Sequence, residues 1–271
     1  MPPFRFAWLA LVLVPAAGQA DEVPLSEAAQ AVQPHWSSML GVPSTGLTQG
    51  FRYHYTTQYL QSGTVVRNFG SNKGLELIVG ESTQIQIGVP AFEERESPKS
   101  TSGGWKDESV LAKYRLASAN EENGNYVVSA SLGMSLPTGS PRFTSGNTVF
   151  FPTLAAGKGW GNRKFGFDIQ GQFLFGLADH NNVSTGLPFT LNSGIQGHLD
   201  HLWPEVEMSY THWNRGALSG KSQLVLTCGF TFEQPIAPGK KITFGAGYQA
   251  PTGTAYAPFT RGWISMAKLS F

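Results

Sequence analysis

Gly197-His198-Leu199-Asp200-His201 sets two imidazoles and a carboxylate side by side, the donor types that hold zinc. In an extended chain His198 and Asp200 point to one side and His201 to the other, so the three converge only if the chain turns at Asp200. A turn flanked by interfacial histidines is the reading the spacing favours. Acyl transfer needs a hydroxyl beside an imidazole. Serines accompany His54, His180 and His212, yet none stands in a Gly-x-Ser-x-Gly elbow. No catalytic, cofactor-binding or metal-binding residue is therefore assigned, and no cofactor is expected. A hydrolase at the rim of a membrane barrel remains the runner-up from another class.

A third set of residues is defined by alternation rather than by a motif. Arg52, His54, Glu76, Lys113, Arg115, Asp168, His198, Trp203, Glu205, Glu207 and Lys268 fall on the polar side of segments whose other side is apolar. Both signs occur in similar number, which argues against a strongly ion-selective pore. Buried charges must pair or meet water. The expectation is that Arg52, Lys113 and Arg115 pair with Glu76, Asp168, Glu205 and Glu207 to brace a barrel wall, with a polar constriction for solutes as the sharper alternative. Trp203 and Trp213 share the inward register and either fill space or offer a sliding contact.

These residues share one surface only if the segments carrying them are strands. Lys164–Leu177 places Phe165, Phe167, Ile169, Phe173, Phe175 and Leu177 opposite Asp168, Gln170 and Gln172. Stretches 125–137, 221–232 and 241–250 repeat the pattern, and weaker ones run 48–60, 74–80, 83–89, 109–117, 148–156, 189–199, 201–213 and 261–271. Segments of about ten residues with period two, separated by turns, are the signature of an all-β fold: a transmembrane antiparallel up-and-down β-barrel of about 12 strands. The polar faces are Gly, Ser, Thr and Gln rather than Lys and Glu, which separates this pattern from a soluble β-sandwich. The longer connections, 61–73, 90–108, 138–147, 178–188, 214–220 and 251–260, would lie on the outer side, with 233–240 an exception among the opposite turns.

Composition agrees. The chain has 271 residues, and its 32 glycines, 12% aromatics and 14% charged residues lean toward β structure. A net charge of +1 makes nucleic acid an unlikely partner. Residues 1–20 have the basic, apolar and small-residue parts of a signal peptide, 21–47 read as a periplasmic N-terminal leader with a helical turn near 26–32, and 48–271 as the barrel. No later apolar stretch reaches the roughly eighteen residues that a membrane-spanning helix needs. The one cysteine, Cys228, excludes an intramolecular disulfide and should face lipid. Asn182-Val183-Ser184 matches a glycosylation triplet by chance.

Gly74-Leu75-Glu76-Leu77, Lys113-Tyr114-Arg115, Ser135-Leu136-Pro137-Thr138-Gly139-Ser140, Ala156-Gly157-Lys158-Gly159 and Gly247-Tyr248-Gln249-Ala250-Pro251 resemble the outer-membrane barrel family named for the MetA pathway of phenol degradation. The resemblance covers roughly 48–271 and implies a bacterial outer-membrane barrel passing small hydrophobic or aromatic solutes. Trp263, Leu269 and the terminal Phe271 share one register and resemble the signal read by the outer-membrane assembly machinery. The expected partners are outer-membrane lipid, that machinery and small solutes. A closed structural barrel is the other alternative.

Overall fold

The computed structural model describes residues 24–70, 74–162, 164–178, 187–252 and 256–271. The expected signal peptide, His180 and the 182–184 triplet lie outside these residues. A closed antiparallel barrel of 12 strands is formed by β1 (Gly50–Tyr59), β2 (Val65–Phe69 and Gly74–Gly80), β3 (Thr83–Gly88 and Phe92–Ser97), β4 (Ser100–Trp105 and Glu108–Ala119), β5 (Tyr126–Leu136), β6 (Val149–Gly161), β7 (Phe165–Phe175 with Leu177–Ala178), β8 (Pro188–Leu199), β9 (Leu202–Trp213), β10 (Ser222–Ala237), β11 (Lys240–Pro251) and β12 (Arg261–Ser270). Each strand pairs with its neighbour in sequence, and β12 closes on β1 from Gly50↔Ser270 to Tyr59↔Arg261. Closure leaves no unpaired edge along that seam.

The two runs of β2, β3 and β4 belong to single strands because their registers nearly continue: Gly74 faces Gly88 in the lower part and Phe69 faces Phe92 in the upper. The upper runs fall within 61–73 and 90–108, the spans that alternation assigns to outer connections. Their faces carry charge on both sides, with Arg67 bonded at 2.8 Å to Glu94 and to Glu96, and Arg95 and Lys106 bonded to Glu93. A hairpin without an apolar face gives no period-two signal. The long connection at 233–240 is likewise mostly strand, since β10 runs to Ala237 and turns through Pro238-Gly239 with Gly239 at φ 69°.

The barrel is inside out relative to a soluble domain. Phe165, Leu154 and Phe244 face outward at 59%, 60% and 53% exposure, while Arg52, Asp168 and Gln196 are 1%, 1% and 0% exposed within the lumen. Cys228 is on the outer surface. Among the described residues no helix is long and apolar enough to cross a membrane.

Helix α1 (Leu25–Ala31) and the chain that follows it to Gln49 do not stay outside this cylinder. Met39, Leu40, Val42, Thr45 and Leu47 are at most 3% exposed, enclosed by the inward faces of the strands. The expected helical turn is present, but the leader is the filling of the barrel.

Gly50, where the leader becomes β1, sits at φ 153°, and a Cβ there would meet the Leu269 carbonyl oxygen at 2.3 Å. Gly50→Ala should therefore lower unfolding stability by about 1–3 kcal/mol, the usual strain of a side chain in such a conformation. Urea unfolding in detergent, followed by the gel shift of the folded barrel, would contradict this if the midpoint did not move.

Candidate functional site

Every residue expected on the polar register is buried on the inward face: Arg52 and His54 on β1, Glu76 on β2, Lys113 and Arg115 on β4, Asp168 on β7, His198 on β8, Trp203, Glu205 and Glu207 on β9, and Lys268 on β12. Arg52 is within electrostatic reach of Glu76, Glu205 and Glu207, and Lys113 of Glu76, and several of these groups are also bonded to the leader. Lys268 and Glu76 form an ion pair at 2.7 Å, and Thr48 also donates to Glu76. Arg52, Lys113, Arg115, Glu205 and Glu207 bond to the leader, whereas Asp168 accepts from Gln170 on its own strand.

The basic side meets carbonyls. Arg52 donates from Nη2 to the Met39 carbonyl and, at 3.1 Å, to that of Leu40, while its Nε donates to His54 at 2.7 Å. Lys113 donates to the carbonyls of Ser44 at 2.6 Å and Gly46 at 3.0 Å. Arg115 donates to the carbonyls of Ala29 and Glu81. The acidic side meets N–H groups. Leu40 donates to Glu205 at 2.9 Å, and Gly41 and Val42 donate to Glu207 at 2.8–3.1 Å. Between them, Gln84 accepts from Thr48, Gln170 accepts from Thr45, Gln172 donates to Pro43 and Ser129 donates to Thr45.

The Gln and Ser that crowd the inward register carry a role that their alternation does not reveal. They satisfy the irregular backbone of an enclosed segment, which otherwise carries unpaired N–H and C=O groups. The inward glycines have an equally physical use. A Cβ on Gly229, Gly245 or Gly247 would lie 2.5–2.7 Å from Leu40, one on Gly194 2.6 Å from Met39 Sδ, and one on Gly157 2.5 Å from Trp36. The leader's apolar side chains seat in hollows made by missing side chains.

At the end where α1 lies, Ser118 donates to the Val32 carbonyl, Trp36 Nε1 donates to Asn125 at 3.0 Å, and His35 N–H donates to Glu121 at 2.7 Å. Burial alone would raise the Glu121 carboxyl, but bonds from the His35 ring and backbone outweigh it and hold it at about 2. Towards the other end, open space appears. A cavity of about 240 Å³ lies over Pro43 and Ser44, walled by Lys113, Gln86, Leu111 and Phe151. A second of about 240 Å³ lies over Gly41 and Val42, walled by Gln58, Asn192, Gln223 and Phe259. A third, of about 310 Å³, is lined by Glu93, Arg95, Lys106 and Arg142 and shares Ser135 with the first.

The two other chemistries resolve differently. His198 stacks on Trp203 with ring centroids 3.7 Å apart and bonds the Asp200 carbonyl at 3.0 Å, while His201 and Asp200 meet at 3.6 Å on the exposed turn. His212 Nδ1 is 2.9 Å from Ser222 Oγ at the rim, and Tyr210 donates to the same oxygen at 3.1 Å. That hydroxyl is bracketed by an imidazole and a phenol rather than by the relay that acyl transfer uses. Trp213 packs edge-on against Tyr256, and Trp263, Leu269 and Phe271 lie exposed on the outer face.

No family model matches the chain, and no curated protein matches it in sequence. Solved structures do. A COG4313 outer membrane channel from Pseudomonas putida F1 superposes with a TM-score of 0.53 at 12% identity, over 86% of this chain and 97% of that one. The KdgM porin superposes at 0.46 and 10% identity, over 81% and 99%. At this identity the first likeness is one of fold: a closed β-barrel of comparable size.

Two outcomes follow from the seating of the leader. Gly247→Leu should push Leu40 out of its hollow at a cost of about 1–3 kcal/mol, so limited proteolysis should cut within 37–47 faster than in the parent. Equal cleavage would contradict the seating. The Glu121 carboxyl, lowered from 4.5 to about 2, contributes stability that is present above pH 4.5 and lost as pH falls towards 2. Trp36 fluorescence should accordingly change across that window in the parent and not in Glu121→Gln.

Proposed function

We propose that the chain is a bacterial outer-membrane β-barrel channel for small solutes, closed in this conformation by residues 24–49. One observation carries the membrane part: the outer surface is apolar and the lumen polar, the reverse of a soluble fold. In lipid a spanning sheet must close on itself, because an open edge leaves backbone groups unpaired, and the β1–β12 seam provides that closure. Export by residues 1–20 and recognition of Trp263, Leu269 and Phe271 by the assembly machinery belong to the same reading.

The channel part is supported by the cavities that flank the apex of the leader and by a closing segment held through hydrogen bonds rather than through a continuous apolar core. The resemblance to the phenol-degradation barrels favours small apolar or aromatic cargo. Phe151, Leu111 and Leu174 on the wall of the first cavity offer such a body a place to rest.

Refolded protein should insert into planar bilayers and show low, intermittent conductance, because the leader fills the lumen. Gly41→Glu should raise it. A Cβ at Gly41 would lie 2.7 Å from Glu207 Oε2, and the added carboxylate would repel Glu207. Insertion of both forms with neither conductance nor small-solute flux would overturn the channel reading and leave a structural barrel.

A further inference from the structure

The leader's path through the lumen is itself a binding pose, and its chemistry is specific. The wall charges are unevenly placed, with Arg52, Lys113, Arg115 and Lys268 on β12, β1 and β4, where Glu76 on β2 pairs with Lys268, and with Glu205 and Glu207 on β9. Over the eight residues 39–46 the basic side takes the carbonyls of Met39, Leu40, Ser44 and Gly46, and the acidic side takes the N–H groups of Leu40, Gly41 and Val42. Few polar side chains are read, the Thr45 hydroxyl donating to Gln170 at 2.9 Å being one. The apolar ones are Met39, seated against Gly194, and Leu40, fully buried against Gly229, Gly245 and Gly247.

From this arrangement we infer that the lumen constriction is a binding site for short, irregular peptides bearing an apolar side chain, recognised through their backbone. The leader occupies that site in the closed form, and a free peptide competes for it. Simpler ligands fit less well. A small anion would meet the cations but bring no N–H group to Glu205 and Glu207, and an aromatic hydrocarbon would bring neither donor nor acceptor to the buried polar groups of either wall. A peptide unit carries donor and acceptor on opposite sides, as the two walls require. The inference deepens the channel reading, on which it rests only for how a peptide arrives.

The test uses the full chain in detergent and a fluorescently labelled, end-blocked octapeptide with the sequence of residues 39–46. Gly41→Glu frees the site without altering its wall. Fluorescence anisotropy should show the peptide binding Gly41→Glu at least about tenfold more tightly than the parent, since occupancy by the leader lowers the apparent affinity. Glu205→Gln in the same background should weaken binding, and excess benzoate should not displace the label. Should Gly41→Glu lose the gel shift of a folded barrel, Leu40→Asp, which changes the leader and leaves the wall as it is, provides the second displaced form. Absence of binding to either displaced form, or displacement by benzoate, overturns the inference. Conductance is read separately: binding without conductance removes the channel and keeps the site, and conductance without binding does the reverse.

Discussion

Glu205 and Glu207 accept hydrogen bonds from the backbone of Leu40, Gly41 and Val42, and much of the architecture follows from what those carboxylates would otherwise face. In a narrow lumen an unsolvated charge is costly unless several donors meet it. Arg52 on β1 acts on both, but attraction alone is not the whole solution. A segment with alternating donors and acceptors also lies between them. The charges hold the leader, and the leader adds donors to those of the wall, such as Gln196 on Glu205.

The same arrangement accounts for the composition of the lumen. Inward glycines at 157, 194, 229, 245 and 247 make room for Trp36, Met39 and Leu40, while Gln84, Gln170 and Gln172 serve the backbone between them. A barrel that merely filled its own bore would place large side chains at those positions. Here the filling comes from a separate part of the chain, so wall and filling can part without breaking a strand ladder.

Much of the barrel was legible in the sequence, because a wall with lipid-like surroundings on one side and polar groups on the other writes a period of two into each strand. Phe165 to Phe175 against Asp168 to Gln172 is the clearest instance. The upper runs of β2 to β4 escaped, since Arg67, Glu93, Glu94 and Arg95 put charge on both faces. The inward residues were also readable, but not their partners. Arg52 and Glu207 announce a polar face, whereas the groups they bind are peptide carbonyls and N–H groups, which every residue carries and no sequence pattern marks. The leader looked featureless for the same reason: Gly41, Pro43, Ser44 and Gly46 matter for the backbone they expose.

The seam between β1 and β12 joins the two ends of the barrel, and the leader runs directly into β1 at Gly50. Strand β12 thus shuts the cylinder around the segment that leads into β1. Such contacts join residues far apart in sequence, and topologies of this kind form slowly. Seating the leader and zipping the seam are linked at Gly50, where the leader enters the first pair of that ladder, Gly50↔Ser270, so the placing of the leader's last residues and the start of the seam are one geometric event.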